Sequence, residues 1–377
     1  MKAGDLPAWA EYVLLPLANL AAALALSGIV VLAVGQDPLA ALAILVDGAI
    51  GSQEGIGFTL YYATTFVFTG LAVAIPFHAG LFNIGGEGQA MLGGIGVTLV
   101  CLPLGGAPLW LVLPLALAAA MACGAAWALI PAWLQARRGS HVVITTIMFN
   151  FIAATLLTWL LVDVLIAPGQ STPESASFAP AIWLPTMHAM LGALGIAVSA
   201  TPLNLAFFIA LAAGAVVWLF IWHTPSGYEI RVAGLSEGAA RYGGISVERI
   251  IVLALCLGGA CAGLAAINDV MGAQHRLLLN FTAGSGFIGI AVALMGRNHP
   301  LGIVLAAILF GALYQGGSEL AFEMPKLQRE LVIVIEGLII LFCGALENLF
   351  RRPLARLLAP PTLPSPASGG GQGRAPA

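Results

Sequence analysis

Apolar residues run along this chain in long blocks separated by short polar stretches. Blocks at residues 13–34, 57–76, 90–104, 108–134, 142–166, 202–222, 248–270, 281–296, 301–317 and 331–350 are mostly near the ~20 residues that a helix needs to cross a bilayer. The pattern predicts an all-α integral membrane protein with about ten transmembrane helices, filling a membrane domain at 13–350. An apolar piece at 38–50 is too short to cross and is expected at the interface, and a weak one at 187–198 sits in the polar loop 167–201. Residues 1–12 form a short polar lead, and 357–377 a Pro/Gly-rich tail expected to be disordered.

Composition sharpens this. The chain is 60% hydrophobic and 8% charged, against about 25% charged residues in a soluble domain. A net charge of −3 provides no basic surface for nucleic acid. The five cysteines (Cys101, Cys123, Cys256, Cys261 and Cys343) lie in or at the edge of apolar blocks with no CxxC pair, which fits small buried apolar residues better than a disulfide framework. No His/Cys/Asp/Glu set has metal-ligand spacing, and no nucleophile–His–acid arrangement can be argued. Charge also orients the chain. With the N-terminus in the cytoplasm and ten spans, eleven of the fourteen Lys and Arg fall inside, leaving only Arg276, Lys326 and Arg329 outside. Both termini and 223–247 are then cytoplasmic, and 167–201 is outside.

Two polar stretches interrupt the pattern. The first, residues 77–94, reads FHAGLFNIGGEGQAMLGG. Backbone exposed to lipid must be hydrogen-bonded internally, so a Gly-rich break between two apolar blocks belongs at an interface, in packed protein or beside a water-filled path, the last being how transporters use broken helices. An ionisable residue at membrane depth costs at least ~2.5 kcal/mol and faces protein or water. Glu87 is therefore the first candidate for a translocation path, with Asn83 and Gln89 beside it and Asn150, Asn268 and Asp269 across from it. A structural hydrogen bond to a neighbouring helix fits Glu87 equally well. A short echo, GLAVAI at 70–75 and GIAVAL at 289–294, precedes two polar breaks and suggests that both face one centre.

The second stretch, 223–247, reads HTPSGYEIRVAGLSEGAARYGGISV. Ser236 can cap a short helix that Gly243 and Gly244 end. Gly234, Gly238, Ala239 and Ala240 leave a smooth surface for a groove on a soluble partner, with Arg231, Arg241 and Ile245 around it.

The motifs FHAGLFNIGGEGQAMLGG, HVVITTIMFNFIA at 141–153, YEIRVAGLSEGAARYGGIS at 228–246 and GFIGIAVALMGRNHPLG at 286–302 occur in this order. Together they resemble the permease subunits of ABC importers of the branched-chain amino acid, ribose and nucleoside group, closest to the nucleoside or simple-sugar branch. The resemblance runs from about residue 57 to 350. Val142 and Ile288 depart from it, standing where members often carry an acidic residue. It implies a conduit for a nucleoside or simple sugar in a bacterial plasma membrane, paired with an identical or sister permease. It also implies soluble ABC ATPase subunits on the cytoplasmic face, where the segment Gly234–Ile245 is expected to turn ATP hydrolysis into movement of the spans, and an extracytoplasmic substrate-binding protein. This chain lacks a GxxxxGK[ST] loop. It is therefore expected to be no enzyme and to carry no cofactor, with ATP bound by the partner. The alternatives are a permease for branched-chain amino acids, a secondary transporter with Glu87 or Asp269 carrying a proton, and a membrane enzyme using Glu87 and His78.

The charge argument has a direct test. Single cysteines placed in 167–201 should react with an impermeant thiol reagent in intact cells, and those in 223–247 should not. Reversed labelling would overturn the orientation.

Overall fold

The computed structural model describes residues 14–324 apart from Pro168, together with isolated positions on either side. The expected span at 331–350, the lead at 1–12 and the tail at 357–377 lie outside the described residues. In chain order the helices are α1 (Leu15–Ala33), α2 (Pro38–Val46), α3 (Gln53–His78), α4 (Gly86–Cys101), α5 (Leu109–Arg138), α6 (Val142–Trp159), α7 (Met187–Ala193), α8 (Ala206–His223), α9 (Pro225–Leu235), α10 (Glu237–Tyr242), α11 (Val247–Ala266), α12 (Ser285–Met295) and α13 (Pro300–Glu323). There is no strand among the described residues, only three isolated antiparallel bridges.

The chain is a multi-pass, all-α membrane protein. Six described helices are long and apolar enough to span, namely α3, α5, α6, α8, α11 and α13. The expectation of about ten is thus not met among the described residues. The block at 281–296 shows why: α12 has only 11 residues, or about 16 Å of helix, about half the ~30 Å hydrocarbon thickness. The first four residues of the block, Phe281–Gly284, form a turn. α4, with 16 residues, is also a short helix, and the stretch before it is irregular from Ala79 to Gly85.

Local chemistry sets the helix ends. Asp37, Ser52, Thr224, Ser236 and Ser246 each accept a backbone N–H as side-chain caps of α2, α3, α9, α10 and α11. α10 is the short helix expected after Ser236, closed by Gly243 and by Gly244 at φ +80°. α11 continues into an eight-residue π-helical stretch, Ile267–Gln274, a local widening frequent at functional sites.

Packing is closest where α4, α5 and α11 meet. A Cβ on Gly263 would lie 2.2 Å from the Ala120 carbonyl, one on Gly124 2.2 Å from the Gly259 carbonyl, and one on Gly93 2.4 Å from Gly263. Small residues let helix backbones approach where there is no hydrophobic force between helices. α3 and α11 are largely buried, whereas α5, α6 and α8 expose Trp110, Ile144, Phe151 and Val216 outward, as lipid-facing helices do.

The polar segments gather at two ends. At one, Arg137 pairs with Glu248 (3.3 Å) and His78 Nε2 lies 3.0 Å from the Asn298 carbonyl. At the other, Arg276 pairs with Glu174 (2.9 Å) and Leu277 accepts from the Ser175 N–H. Arg137 and Arg297 thus lie apart from Arg276, the same partition the charge count draws. One expectation needs correction. Ala240 is fully buried within its own chain, so it offers no face to a partner. It packs inward while Gly238, Ala239, Leu235 (88% exposed) and Tyr242 (97% exposed) face out.

The glycine seam yields a prediction. Gly263→Val should lower stability by about 3 kcal/mol, because an overpacked backbone contact forces the helices apart. Gly192→Ala, which meets nothing within 4 Å, should change it by less than about 1 kcal/mol. Thermal unfolding of the purified protein in detergent measures both.

Candidate functional site

Two short helices begin at one point. A Cβ on Gly286 would lie 2.2 Å from the Glu87 nitrogen, and one on Gly86 3.4 Å from the Gly286 carbonyl. From there α4 runs toward the end that carries the 167–184 loop, where Gly105 lies near Ala179, and α12 runs toward the end that carries His78 and Asn298. The N-termini of two oppositely directed helices therefore meet inside the protein. Each terminus presents unpaired N–H groups and the positive end of a helix dipole.

Glu87 answers that charge. Its Oε1 accepts from the Thr282 hydroxyl (2.5 Å) and the Gly284 N–H (3.0 Å), and its Oε2 from the Gly286 N–H (2.8 Å). The side chain caps α12 from α4. The other residues of the break satisfy the break itself. Asn83 Oδ1 accepts the Gly85 N–H (3.0 Å), and its Nδ2 donates to Gln89 Oε1 (3.0 Å) and to the Ala72 carbonyl (3.3 Å). Asn150 Oδ1 accepts the Gly88 N–H (2.9 Å), and its Nδ2 donates to the Ile84 carbonyl (2.9 Å). The structure brings Asn83, Gln89 and Asn150 together as supports of the irregular backbone.

Asn268 and Asp269 sit elsewhere, on the π stretch. Asp269 accepts from the Tyr61 hydroxyl (2.7 Å) and from Thr65 (3.1 Å), while Asn268 donates to Thr65 Oγ1 (2.8 Å) and accepts from Asn204 (3.1 Å). Asp269 faces a cavity of about 240 Å³. Tyr61, Tyr62, Phe66 and Tyr314 form its aromatic side, and Gln274, Asn280, Thr282 and Ser285 its polar side. Tyr62 and Tyr314 stand 4.6 Å apart, ring centre to ring centre. Gln274 Oε1 and Ser285 Oγ are buried with no hydrogen-bond partner in the protein, where most buried polar atoms have one. Thr282 joins the two clusters: it donates to Glu87 and lines the cavity.

Of the residues expected to form a path, Asp269 alone lines this cavity. Ile288, the departure noted above, lines it too and makes that wall apolar, whereas Val142 is buried at the start of α6. The tyrosines, Gln274, Asn280 and Ser285 were not anticipated. One signal for them existed, since three of the chain's six tyrosines, including the adjacent pair Tyr61–Tyr62, lie inside apolar blocks. Over the cavity, residues 275–278 are stitched to the 167–184 loop: Phe178 N–H donates to the His275 carbonyl (2.7 Å) and Trp183 stacks on the His275 ring at 3.9 Å. Burial pulls the His275 imidazole below its usual pKa, and the Met271 carbonyl offsets part of that.

Arg231, Gly234, Gly238, Ala239, Ala240, Arg241, Gly243 and Ile245 lie on and around α9 and α10, away from the cavity. Arg241 pairs with Glu237 (3.8 Å) in the open. Gly234 is seated on the break: a Cβ there would lie 2.1 Å from the His78 carbonyl. Among the described residues no group of three or more His, Cys, Asp or Glu could hold a metal ion.

Glu87→Gln tests the cap. The amide would set a donor against either the Gly286 N–H or the Gly284 N–H, so the variant should lose about 2 kcal/mol of stability. An unchanged melting temperature would remove the Glu87 contact from the folded protein.

Residues 55–343 match the family described as branched-chain amino acid transport system / permease component. The chain is 36% identical to the glucose ABC transporter permease protein TsgB13 of Haloferax volcanii, over 89% of this chain and 88% of that one. It is 34% identical to the guanosine ABC transporter permease protein NupP of Bacillus subtilis, over 89% of this chain and 94% of that one. It is 33% identical to the nucleoside ABC transporter permease protein NupB of Lactococcus lactis subsp. cremoris, over 88% and 90% respectively. No solved structure matches the chain. The chain therefore belongs to the branched-chain amino acid transport system permease family, whose members are membrane permease subunits and not themselves ATPases.

Proposed function

We propose that this chain is the translocation subunit of an ATP-driven importer for nucleosides or simple sugars, and that the cavity at Asp269 is a station on the path. The observation that carries this reading is the lining of that cavity: five aromatic rings (Tyr61, Tyr62, Phe66, Phe281 and Tyr314), with the Asp269 carboxylate, two unpartnered buried polar atoms and neutral amides and hydroxyls beside them. Aromatic faces hold flat rings by stacking, worth about 1–3 kcal/mol per base, and neutral donors and acceptors match hydroxyls and ring nitrogens. The relatives given above are named as permeases for guanosine, nucleosides and glucose.

The same lining speaks against a branched-chain amino acid. Among the described residues no Lys, Arg or His lines the cavity to meet an α-carboxylate, and the nearby α12 N–H groups of Gly284 and Gly286 are already taken by Glu87. In this reading the end carrying α9 and α10 is cytoplasmic and bears the ABC ATPase, which binds ATP. The 167–184 loop faces the extracytoplasmic binding protein, the membrane is the bacterial plasma membrane, and both termini are cytoplasmic. A second permease, the same or a sister chain, completes the pair. Exposed Leu235, Tyr228 and Tyr242 supply an apolar docking surface for the ATPase, with Gly238, Ala239 and Arg241 beside them.

Uptake of labelled guanosine and labelled glucose by the reconstituted importer decides the solute. Tyr62→Ala and Tyr314→Ala should each lower uptake of the transported solute about tenfold, the loss of one stacking contact, with its affinity for the soluble binding protein unchanged. Full uptake by both variants would take the cavity off the path.

A further inference from the structure

The stretch between His78 and Glu87 holds α12 at both of its ends. At the start of α12, Glu87 accepts the Gly284 and Gly286 N–H groups and the Thr282 hydroxyl. At its far end, the turn Gly296–His299 is fastened to His78, whose Nε2–H donates to the Asn298 carbonyl at 3.0 Å. An α12 of 11 residues is about 16 Å long, and the ten-residue run from His78 to Glu87 spans that easily. Along its side, Gly289 lies against Thr69, and Val292 against Gly70. The two echo segments therefore pack on one another, and the two polar breaks that follow them are hydrogen-bonded together.

The His78 end of this clamp is also where α9 rests. Gly234 sits against the His78 carbonyl and the Gly80 nitrogen, where a Cβ would come within 2.1 and 2.9 Å. Gly80 itself needs the left-handed region, at φ +74°. The Trp222 ring stands between the His78 and His299 rings, with centres at 5.2 and 5.0 Å. Arg297 and Asn298 both hold positive φ, +53° and +56°, an arrangement non-glycine residues keep only where the surroundings enforce it. The other end of α12 carries Ser285 and Ile288 in the cavity wall.

From these contacts we infer that α12 is the gating element of the importer, and that His78 is the positioning residue through which α9 moves it. The inference rests on the functional reading above. Displacement of α9 pushes on the His78–Gly80 backbone. The push reaches α12 at the Asn298 turn through the His78 ring and at the Ser285 end through Glu87, so Ser285 and Ile288 move relative to Tyr62 and Tyr314. A coupling route needs an element whose position both sites bias. α12 is such an element: it is too short to anchor itself across the membrane, and it is clamped at both ends by one segment.

The test uses the complete importer in proteoliposomes, with binding protein, ATPase and both permeases, and reads ATP hydrolysed per solute imported. His78→Leu, which removes the donor, should raise that ratio about tenfold, within the range of allosteric couplings, by cutting uptake while substrate-stimulated hydrolysis persists. His78→Gln, which keeps a donor, should restore a ratio near the native one. Gly234→Ala should uncouple in the same way, and it decides the matter alone if the Leu variant does not assemble. Native ratios in the assembled His78→Leu and Gly234→Ala complexes would overturn the inference. So would a proportional loss of uptake and hydrolysis, which marks a structural role only. If the unmutated complex fails to import any nucleoside or sugar, the functional reading fails instead.

Discussion

Two helix N-termini meeting inside an apolar protein impose the constraint on which the rest of this structure depends. Each terminus brings orphan N–H groups and partial positive charge, and no lipid can satisfy either. Glu87 supplies the acceptor for α12, and Asn150 supplies one for α4 at Gly88. The contact is so close that Gly286 cannot carry a side chain without moving one helix. The remaining polar residues of the break, Asn83 and Gln89, hydrogen-bond each other and the backbone. A lone charge at membrane depth is costly, but here it is enclosed by donors.

This centre divides the molecule into a firm part and a clamped part. The seam of α4, α5 and α11 brings backbone onto backbone through Gly93, Gly124, Gly259 and Gly263, leaving little room for rearrangement. α12 is half a span long, packs side-on against α3 at Gly289 and Gly70, is hydrogen-bonded at both its ends, and presents Ser285 and Ile288 to the cavity. The cavity is lined by α3 and the π stretch after α11 and, apart from them, by α12; in the proposed mechanism α12 is the wall that moves.

The outer covering follows a separate logic. The loop 167–184 has little secondary structure of its own, yet it is tied to 275–278 by backbone pairing at Ser175 and Leu277, by the Arg276–Glu174 pair and by the Trp183–His275 stack. In sequence these contacts lie between Gln274 and Asn280, two residues of the cavity lining. The pairing is between segments about a hundred residues apart in sequence, and nothing in either segment alone announces it.

Sequence by itself determined the class of the protein, most span positions, the capped helix after Ser236 and the polar break around Glu87. These are local properties: hydropathy over ~20 residues, a capping side chain a few residues from its N–H, glycine where backbone bends. It also placed Glu87 at the centre while leaving open whether that carboxylate serves the fold or the solute. Only the tertiary structure decided that Glu87 caps α12, because the partner N–H groups come from residues 284 and 286, some two hundred positions away. It likewise turned Asn83, Gln89 and Asn150 into supports of the break and Ala240 into a buried residue. The tyrosine wall of the cavity escaped sequence reading for the same reason. A tyrosine in an apolar block is indistinguishable from packing until Tyr61 and Tyr62 on α3, Tyr314 on α13 and Asp269 on the π stretch are brought around one space, and that convergence is a property of helix packing, not of any one helix.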